Sequence, residues 1–412
     1  MKNLLSSRLF NIIVILASLG YFVDIYDLIL FGIVKNPSLT DLGLTDPQAL
    51  FSRGNFILSM QMAGMLLGGI VWGVLGDKRG RLSILFLTIL LYSVANIANG
   101  FITTIEQYSW LRFLAGFGLS GELGIGVTLV SEVMSSEKRG LGASIVSGIG
   151  IVGAVFAFLV AERFNWRTAY WTGGGLGLLL LILRIAVFES GMYEKTRSQQ
   201  ISKGNFFALF TAKKRFRKFL FATLLALPTW YTVSVLAINA PSFASEALHI
   251  SGTIKGSTSV MLHYIGASLG SFLFGYLSMR FRSRKKAIIL ATSTIAVFTA
   301  VYFSLSGAQA FWFYLVLFLL GIPMGGLWAT FVAAASEQFG TNMRATVTTT
   351  APNFVRGGTI LITYMLGALT PVVGLWSSGV IVGILFIGIA LLSVFLTEET
   401  YGKDLDYVEI LE

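Results

Sequence analysis

Long apolar runs separated by short polar segments dominate this chain. With about 20 apolar residues read as one membrane crossing, the pattern predicts twelve transmembrane helices, six before and six after a polar stretch at 189–218. The predicted helices are 9–34, 54–75, 82–103, 107–130, 141–161, 168–188, 219–240, 257–278, 286–306, 310–334, 345–370 and 375–396. The expected fold class is an all-α integral membrane protein made of two six-helix bundles.

The same pattern divides the chain into four regions. We expect an N-terminal bundle at 1–188, a cytoplasmic linker loop at 189–218, a C-terminal bundle at 219–396 and a cytoplasmic tail at 397–412. The linker is rich in charged and small polar residues, which is typical of a solvated connection between two bundles.

The composition agrees with a membrane protein and excludes several other classes. Of 412 residues, 55% are apolar and 12% are charged, about half the charged share of a soluble domain, and the mean hydropathy is +0.77. There is no cysteine, and His249 and His263 are the only histidines, so neither disulfides nor a transition-metal site are expected. No phosphate-binding loop or catalytic triad can be traced, so enzymatic and ATP-driven functions have no support.

The basic residues predict the orientation of the chain. If the N-terminus lies inside, 22 of the 30 Lys and Arg residues fall in inside loops, in the termini or, for Lys286, at the inside end of a predicted helix. Cytoplasmic loops are enriched in these residues, so both termini are expected in the cytoplasm. The same bias accounts for the net charge of +10, which is therefore not a sign of nucleic-acid binding.

Two polar motifs recur at nearly the same offset in the two predicted bundles. A Gly-x-x-x-Asp-Lys-x-Gly-Arg string runs from Gly73 to Arg81, and a degenerate copy begins 202 residues later at Gly275. A Glu and an Arg seven residues apart follow predicted helices 4 and 10, at an offset of 205 residues; they are Glu132, Arg139, Glu337 and Arg344. Parallel repeats of this kind are typical of secondary transporters that bind their substrate between the repeats.

These motifs resemble those of the major facilitator superfamily over the whole chain. In that family the loop after helix 2 braces the cytoplasmic gate, and a Glu…Arg-Gly element after helix 4 pairs with it. The resemblance implies a cytoplasmic gate made of Asp77, Arg81, Glu132, Arg139, Glu337 and Arg344. Arg112, in a Leu-Arg-x-x-x-Gly-x-Gly string, resembles the Arg of helix 4 in the same family.

Three acids lie at membrane depth in the first bundle. Asp24 and Asp27 are three residues apart and therefore share one face of helix 1; because two carboxylates in an apolar setting cannot easily both be ionised, one is expected to hold a proton. The pair also resembles the helix-1 acids of proton-coupled aromatic-acid symporters. We predict that Asp24, Asp27, Arg112 and Glu122 couple transport to protons, although an ion pair of one Asp with Arg112 stays open, as does pairing of Glu122 with a neighbouring helix.

Arg356 is the charged residue nearest the centre of a span in the second bundle. It lies about 16 Å into helix 11, where Pro352 and Gly357 are expected to loosen the helix. No acid lies in the spans of this bundle, so its counter-charge must be an acid of the first bundle or the substrate. A guanidinium suits a carboxylate, and organic-anion carriers of the superfamily use a basic residue in helix 11.

Polar and aromatic residues near these charges are candidates for the rest of the binding site. The predicted substrate-binding residues are Arg356, Asn353, Tyr26, His263, Gln61, Tyr231 and Trp328. For the aromatic residues, packing within the helices stays an alternative, and for His263 a proton role and a hydrogen-bonded structural role both stay open.

Two strings match the dinucleotide-binding pattern Gly-x-Gly-x-x-Gly. They begin at Gly116 and Gly148. Both lie inside apolar helices rather than after a strand, so we expect close helix packing through small residues instead. The second lacks the proline found at this place in antiporters of the superfamily, which argues against a drug/proton antiporter.

Together these features predict a proton-coupled symporter for a small organic anion, such as a mono- or aromatic carboxylate, in a bacterial inner membrane. The expected partners are that small molecule and the lipid bilayer, with the proton as coupling ion, no cofactor, no nucleic acid and a monomeric state. Uptake of a sugar or zwitterion and multidrug efflux remain as alternatives. A receptor or channel would belong to a different class, and a channel would need a continuous polar stripe.

Overall fold

The computed structural model describes residues 2–79, 81–122, 139–189 and 206–403, and within these ranges the chain is helical. The long helices are α1 (Lys2–Asp41), α2 (Pro47–Arg79), α3 (Arg81–Asn99), α4 (Ile105–Leu119), α5 (Arg139–Arg163), α6 (Trp166–Glu189), α7 (Lys213–Leu224), α8 (Gly256–Arg280), α9 (Arg284–Phe303), α10 (Ala310–Glu337) and α11 (Thr341–Leu396). The part before residue 190 is called the N-terminal part, and the part after residue 205 the C-terminal part.

Seven helical segments in the described ranges are long and apolar enough to cross a membrane. They are Pro47–Trp72, Trp166–Ile185, Lys213–Ala237, Gly256–Arg280, Arg284–Phe303, Ala310–Glu337 and Thr346–Leu396. Their outward sides carry exposed apolar side chains such as Leu183, Phe311 and Leu392, which suits contact with lipid. The chain is a multi-pass membrane protein.

The first two helices extend further than the apolar pattern predicts. α1 continues through Pro37 to Asp41, so the predicted outside loop at 35–53 is reduced to residues 42–46. α2 begins with Pro47, which suits the first turn because the amide it lacks would have no helical partner there. At its other end α2 runs to Arg79, so Asp77 lies in the last turn of a helix and not in a loop.

The backbone irregularities of the C-terminal part lie elsewhere than the sequence suggests. α11 keeps helical backbone angles at Pro352 and Gly357, so the helix is not broken there, and it departs from them at Gly374 (φ 79°, ψ 162°). The segment after α7 is interrupted instead: Leu227–Tyr231 is followed by a π-helical turn at Thr232–Ala237. Turns of this kind are rare and occur often at functional sites.

Glycines allow several helices to pack with their backbones in contact. A Cβ atom at Gly116 would collide with the backbone carbonyl of Gln61, and one at Gly153 with that of Phe22. These glycines belong to the two strings that match the dinucleotide-binding pattern. Both strings therefore serve helix packing, as predicted.

The N-terminal and C-terminal parts meet along buried polar contacts. Ser59 of α2 hydrogen-bonds with Thr363 of α11 over 2.9 Å, and the Asn353 side chain donates to the Ser120 carbonyl over 2.8 Å. Between these contacts the central charged residues face one another.

Candidate functional site

Arg356 of α11 faces Asp24 of α1 at the centre of the protein. Its Nη2 atom lies 3.9 Å from Asp24 Oδ2, and both side chains have no exposed surface. The separation is too long for a hydrogen bond, so the two charges attract each other without a fixed bond. The sequence leaves two candidates for the counter-charge of Arg356, an acid of the first bundle or the substrate. In this structure it is an acid of the N-terminal part, Asp24.

The other contacts of Arg356 leave part of its guanidinium unused. Asn353 accepts a weak hydrogen bond from Nη1 over 3.4 Å, and the Trp328 ring lies 5.6 Å from the guanidinium carbon. The Trp328 indole in turn donates to the Tyr21 hydroxyl over 3.1 Å. The Nε and Nη2 atoms have no hydrogen-bond partner. One edge of the planar guanidinium therefore has two donors available for a ligand.

A small cavity lies beside Arg356. It is lined by Arg356 together with apolar and aromatic side chains from both parts, among them Tyr21, Leu28, Trp230, Tyr264 and Trp328. Its volume is about 30 Å³, which is room for about two water molecules. A larger ligand needs the two parts to separate here.

Arg112 of α4 lies beside Asp27 without pairing with its carboxylate. It donates to Asn96 Oδ1 over 2.8 Å and to the backbone carbonyl of Asp27 over 3.1 Å, and the Tyr170 ring lies 5.3 Å from its guanidinium carbon. Among the described residues no cation lies within 4 Å of the Asp27 carboxylate. Arg112 lies near a helix end, from where an Arg side chain could extend to the membrane surface. It does not do so, because it is fully buried.

Glu122 pairs with Arg184 of α6 over 2.6 Å. Gly20 of α1 leaves the room for this pair, because a Cβ atom there would collide with both partners. Glu122 therefore pairs with a neighbouring helix, one of the two alternatives open from the sequence, and its partner Arg184 is not among the predicted site residues. The signal was present, since Arg184 is the only charge in the apolar run of the sixth predicted helix and intramembrane charges mark functional sites.

The remaining predicted substrate-binding residues are buried but do not line the cavity. Gln61 donates to the Leu28 carbonyl, Tyr26 to that of Ala169 and Tyr231 to that of Gly379. Asn353 holds α11 against Ser120. Of the predicted set, Arg356 and Trp328 lie at the cavity wall.

His263 of α8 is fully buried and contacts the backbone of α10. Its Nδ1 atom lies 3.0 Å from the Leu317 carbonyl, whereas Nε2 has no hydrogen-bond partner. The structure therefore gives His263 a helix-packing contact and leaves one ring nitrogen unused.

Most of the predicted gate falls outside what the structure describes. Glu132 and the side chains of Asp77, Arg81, Arg139 and Arg344 lie outside the described residues. Glu337 is described: it accepts from Arg284 Nη2 over 2.7 Å and from Thr400 over 2.8 Å, so it ties the end of α10 to the start of α9 and to the residues after α11.

Glu399 extends this cluster beyond the membrane-spanning helices. Its carboxylate accepts hydrogen bonds from the Ser283 hydroxyl and from the backbone amides of Arg284, Thr400 and Tyr401. Partial burial alone would raise the pKa of Glu399, but these hydrogen bonds outweigh it and hold the pKa below its usual value. A carboxylate also suits the N-terminus of α9, where backbone amides are unpaired.

A second buried cation, Lys35, was also missed by the sequence reasoning. It lies in α1 beyond the predicted helix end, is only 3% exposed, and donates from Nζ to Asn239 Oδ1 over 2.6 Å. Asn239 donates in turn to Asn55 Oδ1 over 2.9 Å and to the Ser234 carbonyl over 2.8 Å. This cluster joins α1 and α2 to the segment after the π-helical turn.

Comparison with known proteins adds the family to this geometry. The family model for the Major Facilitator Superfamily matches residues 17–351 and 220–406. The chain is 26% identical over 95% of its length to a putative metabolite transport protein of Haemophilus influenzae, 96% of which is covered. It is 26% identical to a probable 4-methylmuconolactone transporter of Cupriavidus pinatubonensis, over 79% of this chain and 76% of that protein. It is also 26% identical to a putative niacin/nicotinamide transporter of Bacillus subtilis, over 86% and 87%. The chain therefore belongs to the Major Facilitator Superfamily and is a membrane transporter rather than an enzyme.

Proposed function

We propose that this transporter takes up a small organic anion, such as a mono- or aromatic carboxylate, together with protons by alternating access. The observation that carries the proposal is the buried Arg356 guanidinium, which lines the cavity with two unused donors while Asp24 lies 3.9 Å away. A planar cation with parallel donors suits a carboxylate. In the described part of the chain Asp24 is the only acid within 4 Å of it.

The cavity wall favours a ligand with an apolar or aromatic body. Trp328, Trp230, Tyr264 and Tyr21 line the cavity together with Arg356, and aromatic rings contribute stacking to ligand binding. The names of two relatives agree, since one is a probable 4-methylmuconolactone transporter and another a putative niacin/nicotinamide transporter.

Proton coupling follows from competition for Arg356. While Asp24 is ionised it neutralises the guanidinium and competes with a substrate carboxylate. When Asp24 takes a proton, Arg356 loses this counter-charge and binds the carboxylate more strongly, so the two ligands favour each other's binding. Asp27, held near Arg112 without a direct ion pair, is the second protonation site in this scheme.

The architecture we propose is twelve transmembrane helices in two six-helix bundles, with both termini in the cytoplasm of a bacterial cell and the inner membrane as location. The Lys35 cluster then lies on the outer side. The predicted gate residues lie on the cytoplasmic side, and separation of the bundles on one side at a time would widen the small cavity and expose it alternately.

A zwitterionic substrate is the second candidate. The Arg356–Asp24 pair presents one cation and one anion beside the same cavity, an arrangement that also suits an amino acid or betaine. In that case ionised Asp24 would bind the substrate's ammonium group instead of competing with its carboxylate.

Uptake into proteoliposomes separates these candidates. Initial rates with labelled nicotinate, benzoate and proline are measured with acid outside and with equal pH on both sides, and the flux into protein-free vesicles is subtracted. The proposal expects carboxylate uptake that is stimulated by the gradient and lost in Arg356→Ala. Uptake of proline without uptake of the carboxylates would favour the zwitterion. Equal rates of nicotinate and benzoate uptake with and without the pH gradient would contradict proton symport.

A further inference from the structure

Lys35 is a buried basic residue whose hydrogen-bond partner is a neutral amide. Among the described residues no carboxylate lies within 4 Å of its Nζ atom, and its contact with Asn239 over 2.6 Å is the hydrogen bond it makes. A buried charge is costly without an ionic partner, so such residues usually serve a function.

Hydrogen bonds and a glycine fix the position of the Lys35 side chain. The Asn239 amide is fully used, since its oxygen accepts from Lys35 and its nitrogen donates to Asn55 and to the Ser234 carbonyl. Gly54 of α2 provides the space for the lysine stem, because a Cβ atom there would come within 2.6 Å of Lys35 Cδ. The cluster joins the N-terminal and C-terminal parts on the side that the proposed orientation places outside.

Lys35 also lies in line with the central site. Asp24 and Lys35 are eleven residues apart on one helix, which places them within about 20° on the same face and about 16 Å apart along the axis. Leu28, which lines the cavity, lies between them on that face. Separation of the two parts on the outer side would break the Lys35–Asn239 hydrogen bond and would turn Lys35 toward the passage to Arg356.

We propose that Lys35 is an outer anion-binding site which captures the carboxylate of the substrate before it reaches Arg356. Asn239 takes the place of that carboxylate when the outer side closes. An anion bound at Lys35 therefore holds the gate open, and its transfer to Arg356 permits closure. This inference rests on the proposed function and adds the residue that selects anions at entry.

The test is a comparison of nicotinate uptake kinetics in proteoliposomes for four proteins: wild type, Lys35→Gln, Asn239→Asp and Glu162→Gln. Glu162 is the control, because it makes another contact between the two parts, with Ser257 over 2.8 Å and Lys255 over 3.8 Å, and takes no part in the hydrogen bonds of the Lys35 cluster. We expect Lys35→Gln to raise KM about tenfold, because the loss of one charge-assisted hydrogen bond weakens binding by about that factor. The value of kcat should stay within about twofold of wild type.

Asn239→Asp keeps Lys35 and gives it a permanent carboxylate partner. The gate should then stay closed, so kcat should fall at least about fivefold, the effect of a single new ion pair across the gate. This variant decides the question if Lys35→Gln fails to fold, and an unchanged kcat would overturn the proposal.

Two further outcomes separate the claims. If wild type takes up nicotinate and Lys35→Gln has the same KM, or Glu162→Gln changes KM as much as Lys35→Gln does, the outer site is refuted while the proposed function stands. If wild type takes up no carboxylate, the proposed function fails and the outer anion site fails with it.

Discussion

Arg356 and Asp24 are 332 positions apart in the chain, yet their side chains lie 3.9 Å from each other with no exposed surface on either. Each comes from a different part of the protein, so the pair joins the two parts at the point where the cavity lies. The attraction is lost if the parts separate at this level, or if Asp24 takes a proton. In the proposed mechanism this contact couples occupation of the site to the conformation of the protein.

Replacing Arg356 tests the anion site. Arg356→Ala should lower kcat/KM for nicotinate by about 100-fold, because a buried charge-assisted interaction with substrate is worth about 2–5 kcal/mol. Arg356→Lys keeps the charge but not the two-pronged geometry, and should lose about tenfold. Arg167→Gln is the control, since Arg167 pairs with Asp41 at a partly exposed position; uptake should stay within about twofold. Equal losses in all three variants would contradict a specific role of Arg356.

Asp24→Asn should separate substrate binding from proton coupling. With its counter-charge removed, Arg356 should bind carboxylate more tightly, lowering KM by about tenfold, the value of one charge-assisted hydrogen bond. Uptake should no longer respond to an imposed pH gradient. Initial rates at several nicotinate concentrations, with and without the gradient, check both effects; an unchanged KM together with normal stimulation would show that Asp24 does not compete for Arg356.

Asp27→Asn mimics a protonated Asp27 without changing the Arg356 pair. Exchange of labelled for unlabelled nicotinate needs no net proton movement and should continue within about threefold of wild type, because the substrate contacts remain. Concentrative uptake driven by protons should be lost. The two assays are run on the same vesicles, and loss of exchange to the same degree as uptake would assign Asp27 a structural role.

The Glu122–Arg184 pair should matter for stability more than for binding. Removing one partner of a buried ion pair costs about 3–5 kcal/mol because the other is left unpaired, so Glu122→Ala and Arg184→Ala should each lower the melting temperature of the detergent-solubilised protein. The double variant should lose less than the sum of the two. Additive losses would show that the two side chains do not interact, and Lys403→Ala, from the partly exposed pair with Glu398, serves as control.

The pair of Asp41 with Arg167, at the C-terminal end of α1, predicts a pH-dependent contribution to stability. The hydrogen bond from Arg167 holds the pKa of Asp41 below its ordinary value of 3.8. A carboxyl group whose pKa is lowered by folding stabilises the folded state above its unfolded pKa, and this stabilisation is lost as the pH falls through the folded pKa. Wild type should therefore melt above Asp41→Asn at pH 6 and lose this advantage under strongly acidic conditions. A difference that grows on acidification would contradict the assignment.

The sequence predicts the helical class well because apolar runs of about 20 residues have few alternatives in a membrane. It also places the break in the last helical segment correctly, between residues 370 and 375, where Gly374 adopts a positive φ. It fails at helix ends such as 34–41, where the helix continues through polar residues, of which Lys35 and Ser38 are buried. Lys35 was missed for that reason, since it was assigned to a loop.

The charged centre could be predicted only in part. The need of Arg356 for a counter-charge follows from the absence of acids in the predicted spans after residue 218, but the choice of Asp24 over Asp27 or a substrate depends on how two distant helices approach. Apolar periodicity carries no information on that approach. Arg184 could have been found, because a single charge in an apolar run implies a buried partner.

The measurement closest to the central claim is proton movement driven by substrate. An inward nicotinate gradient is imposed on proteoliposomes at equal pH, and the pH of the weakly buffered medium is recorded, with the signal of protein-free vesicles subtracted. The account predicts alkalinisation of the medium in step with nicotinate entry for wild type, and none for Arg356→Ala. Nicotinate entry through wild type without any proton uptake beyond the protein-free signal would contradict it.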